Sequence, residues 1–213
     1  MSAITGLFHF NNQLVTTADL ERMNETLAAH GPDGSGLWRH GPIGLAQRLR
    51  CVTQEDRFEQ QPLLGADGQL VLVSDARLDN RPELMRALDI PPPVNEQPDS
   101  AFILRAYEQW GQDCLHHLVG AYTFAVWDAR EQRLLLVRSP FGGSVVFYHH
   151  TPEVFAFATM PKGLLALPFV PRLLNEERLA DYLARTGSEL YTTFIAASPI
   201  CLQDTYSPLG AMG

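Results

Sequence analysis

An apolar run starts almost at the first residue of the chain. Residues 4–10, Ile-Thr-Gly-Leu-Phe-His-Phe, read as a buried strand. A strand that begins there carries residue 2 and its backbone amine into the fold. That placement is chemically useful when residue 2 bears a nucleophile, because a free amine can then serve as its general base. Residue 2 is Ser2, a hydroxyl. On these few residues alone, Ser2 reads as a small residue following the initiator Met1.

The rest of the chain alternates strand clusters with grouped helices. Thr16 and Thr17 offer N-cap oxygens for a helix to about residue 29, with Leu20, Met23 and Leu27 at core spacing. Strands follow around Leu37-Trp38 and over residues 43–48. Residues 70–73 form a β-branched strand leading into Ser74-Asp75-Ala76. A short helix spans about 82–88. A longer one starts at Asp99 or Ser100 and reaches Trp110, where Gly111 ends it. Four closely spaced strands occupy 121–127, 133–138, 145–148 and 154–158. Asn175 caps a last helix carrying Leu179, Tyr182 and Leu183 in a stripe. Strands in runs with helices between them predict an α+β fold of antiparallel sheets covered by helices.

Composition narrows the function. The 213 residues are 46% hydrophobic and 19% charged, enough for one substantial core. A net charge of −8 argues against a nucleic-acid partner, which calls for clustered Lys and Arg. No run reaches membrane-spanning length and no signal segment opens the chain, so a cytoplasmic location is expected. Cys51, Cys114 and Cys201 are odd in number and far apart, which suits reduced thiols. No metal site or cofactor is implied. His149-His150 reads as a solvated turn, His116-His117 as a helix-end complement, and Asp33 as part of a Gly-Pro-Asp-Gly turn.

A set of ordered motifs adds more. They are Gly31-Pro32-Asp33-Gly34, Leu45-Ala46-Gln47-Arg48-Leu49, Gln61-Pro62, and Asp99 with the stretch 103–111. The strongest is 121–130, Ala-Tyr-Thr-Phe-Ala-Val-Trp-Asp-Ala-Arg, followed by 134–142 and by Phe157-Ala158-Thr159 with Lys162. In order and spacing this resembles the N-terminal glutaminase domain (class II glutamine amidotransferase, N-terminal-nucleophile fold) of asparagine synthetases. The resemblance covers about residues 1–172. It implies a four-layer αββα sandwich. It also implies a thiolate nucleophile at residue 2, exposed by loss of Met1, an Asn-Gly oxyanion hole after the strand at 70–73, and an Arg and an Asp that hold the amino-acid end of glutamine.

Carried over residue by residue, Arg48 matches the carboxylate-binding Arg and Asp99 the ammonium-binding Asp. Elsewhere the chain departs. Ser2 replaces Cys, Ala3 replaces Gly, Ser74-Asp75-Ala76 replaces Asn-Gly-Glu, and Ser139 replaces the Asp of an Arg-Asp motif. The run 75–81 is similar to a branch of asparagine-synthetase-like proteins that includes lasso-peptide cyclases. In that branch the N-terminal domain often lacks its nucleophile.

The catalytic set thus reads as Ser2 with a degenerate oxyanion site at Ser74 and Asp75. Its substrate-binding pair is Arg48 and Asp99, and a glutamine-like ligand is implied. Residues 173–213 resemble the linker and first helix of a synthetase domain whose Ser-Gly-Gly-x-Asp-Ser loop is missing from this sequence. Three functions are in contention. The first is a non-catalytic module that packs on a synthetase-type domain of another chain or on a second copy. The second is an N-terminal-serine amidohydrolase, and the third is an amino-acid-binding sensor.

Overall fold

The computed structural model describes residues 1–90, 96–140, 142–185, 193–195, 200–201 and 207–210. Two antiparallel sheets stack face to face. The first contains β1 (Ala3–His9), β2 (Gly34–His40), β3 (Ile43–Leu49), β8 (Val146–His150), β9 (Val154–Ala158) and the short β10 (Ile200–Cys201), in the order β10-β8-β9-β1-β3-β2. The second contains β4 (Leu63–Leu64), β5 (Leu70–Leu78), β6 (Gly120–Asp128), β7 (Arg133–Arg138) and β11 (Ser207–Gly210), in the order β11-β7-β6-β5-β4. Helices α1 (Thr17–Thr26) and α4 (Pro161–Leu165) cover the first sheet, and α2 (Arg81–Ala87) and α3 (Asp99–Trp110) cover the second.

The period of two along each strand builds the four layers. On β1, Ile4 and Phe8 point between the sheets, whereas Leu7 points at α1. On β5, Val71 and Val73 meet β1, whereas Leu70 and Leu72 pack under α3 with Phe102, Ile103 and Ala106. Trp127 of β6 and Phe157 of β9 fill the middle layer, both buried. Gly6 is required at its position, because a Cβ there would stand 2.3 Å from the Phe157 ring.

The αββα sandwich expected from the motifs is the observed fold. β1 pairs with β3 and β9, and β5 and β6 face it across the core. In the tail, the backbones of β10 and β11 extend the sheets at β8 and β7. Residues 188–192, 196–199, 202–206 and 211–213 of that tail lie outside the described residues. α5 (Glu176–Ala184) is capped by Asn175, whose side chain accepts from the Arg178 N–H at 3.0 Å. Its predicted apolar stripe is open to solvent, with Tyr182 66% and Leu183 71% exposed.

Candidate active site

Even-numbered residues of β1 face the opposite sheet, so Ser2, one step before the strand, faces it too. Odd-numbered residues of β5 face back, which brings Asp75 opposite Ser2. The Ser2 backbone N–H donates to Asp75 Oδ1 at 2.8 Å, and Ser2 Oγ accepts from the Arg50 N–H at 3.0 Å. Asp75 Oδ2 accepts from the Ser144 hydroxyl at 2.5 Å. Thr123, the cross-strand partner of Asp75 on β6, donates through Oγ1 to the Ser144 carbonyl at 2.7 Å. Gly143 lets the loop make this approach. Its φ is +92°, and a Cβ there would lie 2.5 Å from the Tyr122 carbonyl oxygen.

Ser2, Arg50, Asp75 and Gly143 line a cavity of about 220 Å³, with Asp56, Glu59 and Arg77 also on its wall. Burial pushes the Asp75 carboxyl above its usual range. The Ser144 hydroxyl, the Ser2 N–H and the nearby N-terminal ammonium pull it back only in part. Burial likewise pushes the Glu59 carboxyl up, opposed by hydrogen bonds from Ser100 and Gln61. Ser100 Oγ reaches Glu59 Oε1 at 2.6 Å. The cavity wall therefore mixes the carboxyl groups of Asp56, Glu59 and Asp75 with the cations Arg50 and Arg77.

Ser74 and Asp75 have separate roles. β5 does not end at residue 73. It continues as a paired strand to Leu78, so Ser74 points to the side opposite Asp75. The Ser74 N–H donates to Gln61 Oε1 at 2.5 Å, and Gln61 Nε2 donates to Ser74 Oγ at 2.9 Å. Gln47 of β3 donates to the Ser74 carbonyl at 2.9 Å, tying the two sheets together beside the cavity. Ser74 is thus committed on every polar atom, while Asp75 alone meets Ser2.

Arg48 and Asp99 are not brought together with Ser2. Gln47 faces the cavity, so the next residue, Arg48, faces α1, where Nε donates to the Asn24 carbonyl at 3.0 Å. The arginines on the cavity wall are Arg50 and Arg77. Asp99 opens α3, and its carboxylate is already occupied. Oδ2 accepts from the Leu78 N–H at 3.0 Å, and Oδ1 holds Arg81 at 2.5 Å. Arg81 also lies 4.8 Å from the centre of the Phe102 ring. Ser139, where the motif has Asp, is buried and donates to the Gly142 carbonyl at 3.0 Å, which shapes the loop that carries Ser144. Gln47, Arg50, Glu59 and Ser144 were not found from the sequence. Only the Gly142-Gly143 pair before Ser144 hinted at a loop making a close approach.

Cys114 is buried and its thiol is pushed up to about 12, so it is inert, whereas Cys51 is exposed. Among the described residues, no group of three or more His, Cys, Asp or Glu is placed to hold a metal ion. No helix among them is long and apolar enough to cross a membrane.

Comparison with known proteins agrees with this architecture. Residues 1–198 match the family model described as a glutamine amidotransferase domain. The chain is 29% identical over 184 residues to asparagine synthetase [glutamine-hydrolyzing] 3 of Bacillus subtilis, covering 85% of this chain and 30% of that protein. It is 22% identical over 202 residues to putative asparagine synthetase [glutamine-hydrolyzing] 2 of Methanocaldococcus jannaschii, covering 86% of this chain and 39% of that one. The chain thus spans well under half the length of these relatives. Among solved structures, glutamine phosphoribosylpyrophosphate amidotransferase from B. subtilis superposes with a TM-score of 0.61 at 14% identity, over 77% of this chain and 43% of that one. The motif order, the αββα layers and the match over residues 1–198 lead to one assignment: this chain belongs to the glutamine amidotransferase domain family, related to asparagine synthetases.

Proposed function

We propose that the chain is a degenerate class II glutamine amidotransferase domain of an asparagine synthetase-like protein. It lacks efficient glutaminase activity and serves as a structural or partner-binding module for an ATP-dependent synthetase or cyclase. Residues 1–172 are the glutaminase-like unit, and 173–213 the linker and tail that lead toward such a domain. Ser2 stands in the nucleophile position, and the branch is the lasso-peptide-cyclase-like one.

The observation that carries this reading is the Asp75 carboxylate, 2.8 Å from the Ser2 nitrogen. Attack on an amide builds negative charge on its oxygen, and donors aimed at that oxygen supply much of the rate. Loss of one donor costs about 100- to 1000-fold. Here the group that meets the Ser2 N–H is an acceptor that itself consumes the Ser2 and Ser144 donors. Once Met1 is removed, the Ser2 amine becomes an ammonium facing Asp75. That contact holds the amine protonated, the wrong state for a general base. An ATP-dependent domain as partner is suggested by the glutamine-hydrolyzing asparagine synthetases, of which this chain matches only a part. Sensing of an amino acid through Arg48 and Asp99 is disfavoured, because Arg48 faces α1 and Asp99 is engaged by Arg81.

The test is glutamine-dependent ammonia release by the purified protein, with its N-terminus defined by mass spectrometry. Release at background with Ser2 as the first residue supports the reading. Saturable release from glutamine identifies an N-terminal-serine amidohydrolase and refutes it.

A further inference from the structure

A second cleft lies at the other end of β1. Ser2 and His9 are seven residues apart on an extended strand, or about 23 Å. His9 faces the helix side of the sheet, because it shares the face of Leu7. The cleft there has a volume of about 660 Å³, within the range of small-molecule sites. It is framed by the end of β1, the first turn of α1, the β8–β9 turn and the segment after α4.

His9 is the unusual group. It is only 8% exposed, yet its ring makes no hydrogen bond to any described residue. Neither ring nitrogen is sealed from the cleft. A largely buried ring whose nitrogens open on a cleft and meet no protein partner is available to a bound group. Burial holds its pKa below the ordinary value, with Asp19 opposing, so at neutral pH the ring is uncharged and keeps one nitrogen as an acceptor. His149, expected in a solvated turn, instead lies in β8, is 7% exposed and lines the same cleft.

The rest of the lining has a consistent chemistry. Phe169, 40% exposed and 6.3 Å from the His149 ring centre, joins Pro152 and Pro168 in an apolar wall. Two carboxylates, Asp19 and Glu153, are on the lining, and no Lys or Arg is. Asp19 accepts from Thr16 at 2.7 Å and contacts Arg22 at 3.3 Å, whereas the Glu153 carboxylate has no partner among the described residues.

We propose that this cleft binds a small aromatic amine as its cation, with the ammonium donating to His9 and drawn by Glu153 and Asp19, and the ring set against Phe169 and the prolines. The site is independent of the Ser2–Asp75 cavity and of the function proposed above.

The test is titration of the full chain with phenethylamine, followed by the imidazole nitrogen and backbone amide signals in NMR and by calorimetry. Saturable binding with Kd near about 1 mM is expected for so small a ligand. It should perturb His9 and His149 and leave Ser144 unperturbed. 3-Phenylpropanoate, of similar shape and opposite charge, should bind about tenfold or more weakly, and Glu153→Gln should weaken phenethylamine about threefold or more, by removing a nearby charge. Absence of any His9 response at about 50 mM ligand overturns the proposal, as do equal binding of the two ligands or a response confined to the Ser2–Asp75 cavity.

Discussion

Replacing Asp75 separates its two effects, hydrogen bonding and buried charge. Asp75→Asn keeps an acceptor for the Ser2 N–H, and its amide can donate to Ser144 Oγ, a hydroxyl that serves equally as acceptor. Asp75→Ala removes the 2.8 Å and 2.5 Å contacts and leaves Ser144 Oγ only its weak 3.6 Å contact with Met1 Sδ. Each lost hydrogen bond is worth about 1 kcal/mol, so Asp75→Ala should be about 2 kcal/mol less stable than Asp75→Asn. In a chain of this size that lowers Tm by about 4–8 °C.

The pH dependence follows from the raised carboxyl. A carboxyl whose pKa is raised in the folded state favours folding when protonated. That contribution is complete below the ordinary value of 3.8 and is lost as pH rises through the folded-state pKa. The Asn variant carries no charge at any pH. It should therefore melt above wild type at pH 7.5, and the gap should close as pH falls toward 4. Thermal unfolding followed by circular dichroism between pH 8 and pH 4 measures both effects. Equal stability of the Asn and Ala variants, or a gap that does not shrink on acidification, would refute the assigned role of Asp75.

Other substitutions probe the frame around the cavity. Gln61→Ala should cost about 1–3 kcal/mol in chemical denaturation, because it orphans the buried Ser74 N–H and hydroxyl. Gly143→Ala should cost about 1–3 kcal/mol and disturb Ser144, since a Cβ at φ +92° meets the Tyr122 carbonyl; unchanged stability would show that this loop is not fixed. Trp127→Ala, at a site 2% exposed between the sheets, should lose about 3–5 kcal/mol in the same assay.

How much was legible in the sequence depended on the physics of each element. The strand at 133–138 was found within a residue, because a short apolar run bounded by Arg133 and Arg138 suits a strand buried on both faces. The helix at Asp99–Trp110 was marked by its apolar spacing and by Gly111. The end of β5 was missed. Ser74, Asp75 and Arg77 are polar and read as a loop, but their polarity serves the Gln61 contact, the Ser2 contact and the cavity rim while the ladder with β6 continues. Arg48 was assigned by motif position, and the pleat turned it away from the cavity in favour of Gln47. Ser144 joins Asp75 from 69 residues away, a long-range pairing that local pattern does not encode. Asp99 was expected as a ligand group, and Arg81, one turn of chain beyond β5, already satisfies it.

The central claim is that the Ser2 site fails through its surroundings and not only through its hydroxyl. The most direct measurement uses Ser2→Cys prepared with Met1 removed, so that a thiol stands beside a free amine. Glutamine-dependent ammonia release is then followed at neutral pH. With Asp75 still facing residue 2 and no donor replacing it, release should stay near the background of the unsubstituted protein. Turnover comparable to that of an intact glutaminase domain would contradict the account, and would show that the cavity stabilises the oxyanion as it stands.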